Sequence, residues 1–245
     1  MTGPHHLEFP RNPSVGAVTR VGYFVVRVGD RVFGRRRMLR CLLDVARLTR
    51  RLAFEEAGRV YGHDFHSVAK GVTPEMLGAV LPSGGTVLDL GCGNGRWSRE
   101  AAAVASRVVG VDHNADLIEE AKRLTDSPKV DYFAGDVADT PNGPFDVALV
   151  IHLLEHVADP VSLLNGLRGV ARAILVEVPD FEADSLNVAR LWAGRPFSSD
   201  GDHVREYTEQ MLRSHLADAG WQSAAVFRRG GSVVAQALPA NGSAE

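Results

Sequence analysis

The sequence predicts an α/β fold: a doubly wound, mainly parallel sheet preceded by a basic helical extension. Three observations carry this. Val87-Leu88-Asp89-Leu90 followed by Gly91-Cys92-Gly93-Asn94-Gly95 reads as a buried strand, a glycine-rich turn and a helix start. Apolar runs then alternate with helical periods through Val178, the pattern of strands joined by crossover helices. Finally, residues 1–61 hold twelve Arg and no Lys against five acids, about +7, whereas the remainder carries about −10. Such asymmetry points to two parts with different tasks.

The elements follow in order. Residues 1–13, with Pro4, Pro10 and Pro13, read as a loose tail. Val15 to Gly34 has mixed periodicity and several glycines and reads as weakly helical or irregular. From Arg35 to Ala57 the period becomes helical, with Met38, Leu39, Leu42, Leu43, Ala46 and Ala53 along one side and Arg36, Arg40, Arg47 and Arg51 on others. This stretch suits a solvated helix packed on the main domain, a basic surface for anionic lipid or a phosphorylated ligand, or contact with RNA. It lacks the interleaved aromatics that stack on bases, which speaks against nucleic acid. Thr73 to Leu81 predicts a helix with Thr73 as its cap and Pro74 in its first position. Val108–Asp112, a strand ending at Ala134–Val137, Phe145–Val150 and Ile174–Pro179 supply further strands. Gln222–Phe227 and Ser232–Ala237 flank Arg228-Arg229-Gly230-Gly231, a hairpin signal. The organisation expected is a basic extension over 1–60, a main domain over 61–238 with an insertion near 181–202, and a tail over 239–245.

Composition narrows the class. Hydrophobic residues make up 45% of the 245, enough for a sizeable core. No stretch approaches 18 uninterrupted apolar residues, and the nearest candidate, Val15 to Phe33, is broken by Arg20, Arg27, Asp30 and Arg31. The N-terminus lacks the basic, apolar and cleavage regions of a signal peptide. Cys41 and Cys92 make neither a disulfide framework nor a zinc site. A cytoplasmic protein is expected.

The glycine turn carries the chemistry. Glycines at 91, 93 and 95 let the backbone turn sharply and approach a ligand closely, at the strand end where open α/β sheets bind ligands. The spacing is not that of the dinucleotide fingerprint, whose third glycine comes one residue later, where this chain has Arg96. Asp89, just before the loop, suits a cationic ligand group and not a pyrophosphate. The run Asp89-Leu90-Gly91-Cys92-Gly93-Asn94-Gly95 resembles the class I S-adenosylmethionine-dependent methyltransferases. Leu154-Glu155-His156-Val157-Ala158-Asp159-Pro160 is similar to their subgroup acting on small molecules, lipids and sugars. His203-Val204-Arg205-Glu206-Tyr207-Thr208, with the helix leading to Ala219-Gly220-Trp221, is similar to that subgroup's C-terminal entry. The resemblance covers roughly residues 60–238. It implies a Rossmann-like sheet of seven strands with the last strand antiparallel, and S-adenosylmethionine as cofactor. It places the cofactor against the loop Gly91, Cys92, Gly93, Asn94 and Gly95, with Asp89 toward the ammonium group. Asp112, with His113 beside it, falls to the ribose, Asp136 and Val137 to the adenine, and Ile151 to the sulfonium side.

Methyl transfer chiefly needs alignment and a dry pocket; a hydroxyl nucleophile also needs a base, for which histidine is suited. His156, His203 and His152 are the candidates. Glu155, Arg205 and Tyr207 read as acceptor-orienting groups or loop anchors, and Tyr61, His63 and His66 as a segment closing over the cofactor or simply packing. The insertion's Leu186, Leu191, Trp192 and Phe197 suit an acceptor surface or the packing of the insertion itself. His152-Leu153-Leu154-Glu155-His156 matches a zinc-peptidase pattern, but the preceding strand and the following Asp159-Pro160 leave little room for the helix zinc would need. Asp180, Glu182, Asp184, Asp200 and Asp202 supply acids for magnesium without a recognisable metal spacing; no metal is expected. The function expected is methyl transfer to a small-molecule, sugar or lipid-linked acceptor, at a hydroxyl oxygen. Rival readings are an RNA or protein methyltransferase using the arginines, or a non-catalytic scaffold. Anionic membrane contact through the N-terminal arginines, and a homodimer, are compatible with this reading.

Overall fold

The computed structural model describes residues 13–69, 71–136, 143–195, 197 and 202–240, with side chains for all of these except 13–15, 17, 18 and 62–69. Val137 and Asp200 lie outside the described residues. The chain divides into two compact units, Met1–Phe54 with Leu186–Ser199, and Glu55–Ser185 with Asp200–Glu245.

The second unit carries a seven-stranded sheet of β1 (Thr86–Leu90), β2 (Arg107–Asp112), β3 (Val130–Ala134), β4 (Phe145–Ile151), β5 (Ala171–Pro179), β6 (Trp221–Arg229) and β7 (Ser232–Pro239). Their order is β3-β2-β1-β4-β5-β7-β6. All neighbours pair in parallel except β7, which runs antiparallel to both β5 and β6. This is the mixed, Rossmann-like sheet the sequence implied. The turn between β6 and β7 is made by Gly230 and Gly231, both at positive φ (60° and 85°), the geometry a two-residue hairpin demands.

Helices cover both faces. Leu77 of α3 (Pro74–Val80) and Ala101 of α4 (Arg96–Ala101) pack with Val87, Val108, Val147 and Leu149. Leu164 of α6 (Pro160–Gly166) and Leu212 and Leu216 of α8 (Glu209–Asp218) pack with Leu88, Val109, Ala148 and Val150. Successive residues of β1, β2 and β4 thus serve opposite cores, which is why these strands read as unbroken apolar runs. Ile118 and Ala121 of α5 (Ala115–Arg123) close a smaller cluster with Tyr132. Thr73 caps α3 by accepting from Met76 N–H, with Pro74 next to it. The strand order reverses beside β1, so the loops after β1 and β4 face a topological switch point, the usual ligand crevice of such sheets.

The first unit contains α1 (Pro13–Phe33), the first part of α2 (Arg35–Ala69) and α7 (Leu186–Ala193). α1 is a continuous helix where the sequence suggested a weak or irregular one: valines at 21, 25, 28 and 32 share a helical face despite the glycines between them. Gly34, at φ 83°, makes the corner into α2. A Cβ on Gly29 would collide with the Met38 side chain, so α1 and α2 meet closely beside that corner. α2 runs twelve residues beyond Ala57. Of its expected apolar side Leu43 is buried, while Leu39 and Leu42 are exposed. Arg195 pairs with Asp44, its Nε donating to Oδ1 at 2.9 Å.

Candidate functional site

The glycine loop is locked to the neighbouring strand. Gly91 and Cys92 N–H groups donate to Val111 O at 2.8 and 3.1 Å. Gly91, Gly93 and Gly95 all adopt positive φ (72°, 52° and 76°), which only glycine occupies without steric cost. Their surroundings differ. A Cβ on Gly91 would press on Leu153, and one on Gly95 would overlap the Tyr132 hydroxyl. A Cβ on Gly93 would meet nothing within 4 Å. Gly91 and Gly95 are therefore fixed by protein packing, whereas Gly93 borders open space at the crevice.

Asp112 ends β2 with its carboxylate almost buried. Oδ2 accepts from Gly93 N–H and Oδ1 from Asn114 N–H, both at 2.9 Å. Each oxygen keeps a lone pair for a further donor, so a vicinal diol fits this carboxylate. His113 beside it is 92% exposed in its side chain, 3.5 Å from Asp112 Oδ1. Asn94 donates to Glu120 at 3.2 Å, tying the loop to α5. Asp136 is exposed just beyond β3, and Ile151 is buried at the end of β4. The open face at Gly93, with Asp89 near the end of β1, Asp112 at the end of β2 and Asp136 beyond β3, fits an adenosyl ligand with a cationic tail.

Asp89 is 2% exposed, and its Oδ2 accepts from Ser98 Oγ at 2.6 Å. Burial pushes its carboxyl up to about 6, against the opposing pull of the Ser98 hydrogen bonds. Ser98, unremarked in the sequence, is thus the link between Asp89 and α4. Burial, with Asp89 and Asp112 adding charge repulsion, pushes the Cys92 thiol far up, so it stays protonated.

After β4 the three histidines separate. His152 adopts φ 51°, the non-glycine residue at positive φ among those described; such strain gathers at functional positions. Its ring lies between two buried carboxylates, Nδ1 at 3.2 Å from Glu155 and Nε2 at 3.1 Å from Glu177. Burial opposes its charge, but the hydrogen bonds and charges of Glu155 and Glu177 outweigh this and hold it up at about 10. Glu177 is a hub that nothing in the strand's residue pattern singles out. It also accepts from Gly71 N–H (3.2 Å), Val72 N–H (2.8 Å) and Ser232 Oγ (2.8 Å). Its carboxyl is held low: burial works the other way, but His152 and then Val72 and Ser232 prevail.

His156 and His203 come together instead, their rings edge to face at 4.7 Å. His156 Nδ1 is 3.2 Å from Asp202 Oδ2, close enough for charge pairing though not aligned as a hydrogen bond. His203 Nδ1 is 3.3 Å from Glu206 Oε1. Donor atoms of Glu155, His156 and His203 lie within 4.8 Å of one another, so any cation held here would use His203 and not the His152/His156 pair of the zinc-like spacing. The acids considered for magnesium do not gather among the described residues: Asp180 and Glu182 face Arg228, and Asp202 faces His156. Glu155 O accepts from Val204 N–H at 2.9 Å, and Arg205 donates to Val157 O and Ala158 O, both at 2.7 Å. These bonds fasten the 203–207 segment over the loop after β4. Tyr207 is fully buried, its hydroxyl 3.2 Å from His215 Nδ1. Tyr61 is exposed on α2, where His63 and His66 also lie, their side chains outside the described residues. Leu186, Leu191 and Trp192 belong to α7 in the first unit and are exposed.

Comparison with known proteins matches residues 61–226 to a family model described as a methyltransferase domain. A ubiquinone biosynthesis O-methyltransferase of Bordetella pertussis is 34% identical over 116 residues, 45% of this chain and 47% of that protein. The chain spans less than half the length of the curated relatives it matches. An S-adenosylmethionine-dependent methyltransferase from Aquifex aeolicus superposes with a TM-score of 0.58 at 17% identity, covering 76% of this chain and 98% of that one. Magnesium protoporphyrin IX methyltransferase from Synechocystis, solved with bound S-adenosylhomocysteine, gives a TM-score of 0.57 at 19% identity, covering 77% and 94%. At these identities the structural likenesses speak for the fold.

Proposed function

Because this chain belongs to the class I S-adenosylmethionine-dependent methyltransferases, we propose that it methylates a hydroxyl oxygen of a small-molecule, sugar or lipid-linked acceptor. The observation that carries the oxygen assignment is the pairing of His156 with Asp202 and His203 directly beyond β4. An amine can lose its proton after attack, whereas a hydroxyl needs a base as it attacks. The name of the Bordetella relative supports the same chemistry.

S-adenosylmethionine supplies an activated methyl group; its transfer forms a carbon–oxygen bond, breaks the carbon–sulfur bond and frees the hydroxyl proton. In this reading His156 Nε2 receives that proton, and Asp202 beside Nδ1 stabilises the imidazolium that results. His203 packs edge-on to keep the His156 ring in place and contacts the acceptor. His152, already a cation, is no base; it serves as a positioning group that holds Glu155 and Glu177. Asp112 takes the ribose hydroxyls, Asp136 the adenine amino group, and the loop Gly91–Gly95 with Asp89 beneath it receives the methionine part, with His113 and Ile151 lining the site. The domain proposed to do this is 61–238. The arginine-rich extension is assigned to peripheral contact with an anionic membrane surface, which suits a lipid-linked acceptor.

The test is to supply the purified chain with methyl-labelled S-adenosylmethionine and a panel of phenols, catechols, sugars and amines. Label in an ether is expected. Label in amines alone, or S-adenosylhomocysteine binding with no turnover on any of them, contradicts the reading; the second result favours a cofactor-binding scaffold. His156→Ala should lower kcat roughly 10²-fold and leave S-adenosylhomocysteine affinity unchanged.

A further inference from the structure

We infer that the valine-rich face of α1 inserts into the interfacial layer of an anionic lipid membrane, with a row of arginines beside it meeting the headgroups. This extends the peripheral-contact assignment and rests on it, naming the element and face that carry the contact.

The argument starts from what α1 does not bury. Among its described residues only Gly29 is buried, at the contact with Met38. Yet at 100° per residue Val21, Phe24, Val25, Val28 and Val32 fall on one side of the helix. All five are exposed, from 43% at Val28 to 67% at Phe24. A folded chain normally hides such a stripe, and an exposed apolar patch of this kind marks a contact surface.

The flank identifies the partner. Arg20, Arg27 and Arg31, spaced seven and four residues apart, lie in a row along one edge of the stripe. Asp30, the acid of this helix, falls on the far side from the stripe. The same sign dominates residues 1–61, with twelve arginines against five acids. An apolar face bordered by arginine is the pattern of a helix lying in the plane of an anionic bilayer, its valines in the acyl boundary and its guanidinium groups on the phosphates. At about 1.5 Å per residue the stripe from Val21 to Val32 runs some 17 Å along α1. No described helix is long and apolar enough to cross a membrane, so the helix lies on the surface.

The experiment is cosedimentation of the full chain with phosphatidylcholine vesicles, with and without phosphatidylglycerol. Three proteins are compared: the native chain, a Phe24→Asp/Val28→Asp variant and an Arg20→Glu/Arg27→Glu variant. S-adenosylhomocysteine affinity confirms that each is folded. The native chain should bind the anionic vesicles and release at high salt, and each variant should lose binding by roughly tenfold or more. If the arginine variant releases while the apolar variant binds as well as the native chain, α1 does not insert, and only the electrostatic contact survives. No binding by the native chain overturns both. A native dimer that the apolar variant converts to monomer, without vesicle binding, assigns the face to a second copy of the chain and overturns the inference.

Discussion

His152 and Glu177 join the ends of β4 and β5 twice over. The His152 N–H donates to Glu177 O at 2.9 Å, and the His152 ring Nε2 lies 3.1 Å from Glu177 Oε1. The same carboxylate holds Gly71 and Val72, so one ion pair fixes the loop after β4 and the segment leading into α3.

This pair predicts a pH dependence of stability. The folded-state value of His152 lies above the unfolded one, raised from 6.5 to about 10. Its contribution is therefore fully present below pH 6.5 and is lost as pH rises toward 10. His152→Gln should lower the thermal midpoint at pH 6 and flatten its decline between pH 7 and 10. A variant whose midpoint parallels the native one over that range would show that His152 is not the cation held between Glu155 and Glu177.

Asp89 predicts a proton released on cofactor binding. Its carboxyl is raised to about 6 in the folded chain, so folding favours its protonated form below that value and the preference is lost as pH rises through it. A cationic ligand group nearby favours the carboxylate. S-adenosylhomocysteine affinity should rise between pH 5 and 7, with buffer-dependent binding heats near pH 6. Asp89→Asn should abolish both effects; their persistence would move the titration elsewhere.

The loop glycines should fail in different ways. Gly95→Ala drives a methyl group into the Tyr132 hydroxyl and should destabilise the fold by about 2 kcal/mol or more. Gly93→Ala meets open space and should cost only about 1–2 kcal/mol for its left-handed backbone, while weakening cofactor binding. Unfolding curves and calorimetry on the two variants separate these losses. Equal effects on stability would contradict the contrast.

What the sequence made legible was local. A strand, an acid and three spaced glycines lie within nine residues, so the turn at the sheet's switch point could be read directly, and the alternation after it yielded the doubly wound sheet. The Gly230-Gly231 hairpin was equally local. Val15 to Gly34 reads as weakly helical because its periodicity is mixed and glycines such as Gly22 and Gly29 lower helix propensity, although the valines share a regular face. Glu177 looked like one residue of a buried strand, since its partners Gly71 and Val72 lie more than a hundred residues away. The meeting of His156 with His203 likewise depends on a segment folded back over the loop after β4, and the Asp89–Ser98 bond depends on how α4 sits on β1. Such relations arise from tertiary packing, and no periodicity announces them.

The most direct test of the account is calorimetric titration of the native chain and of Asp112→Ala with S-adenosylhomocysteine. The account predicts binding near micromolar, about −8 kcal/mol, by the native chain. It predicts a loss of at least tenfold when the carboxylate that holds Gly93 and Asn114 is removed. Equal affinity in the two proteins, or no binding by the native chain, would contradict it.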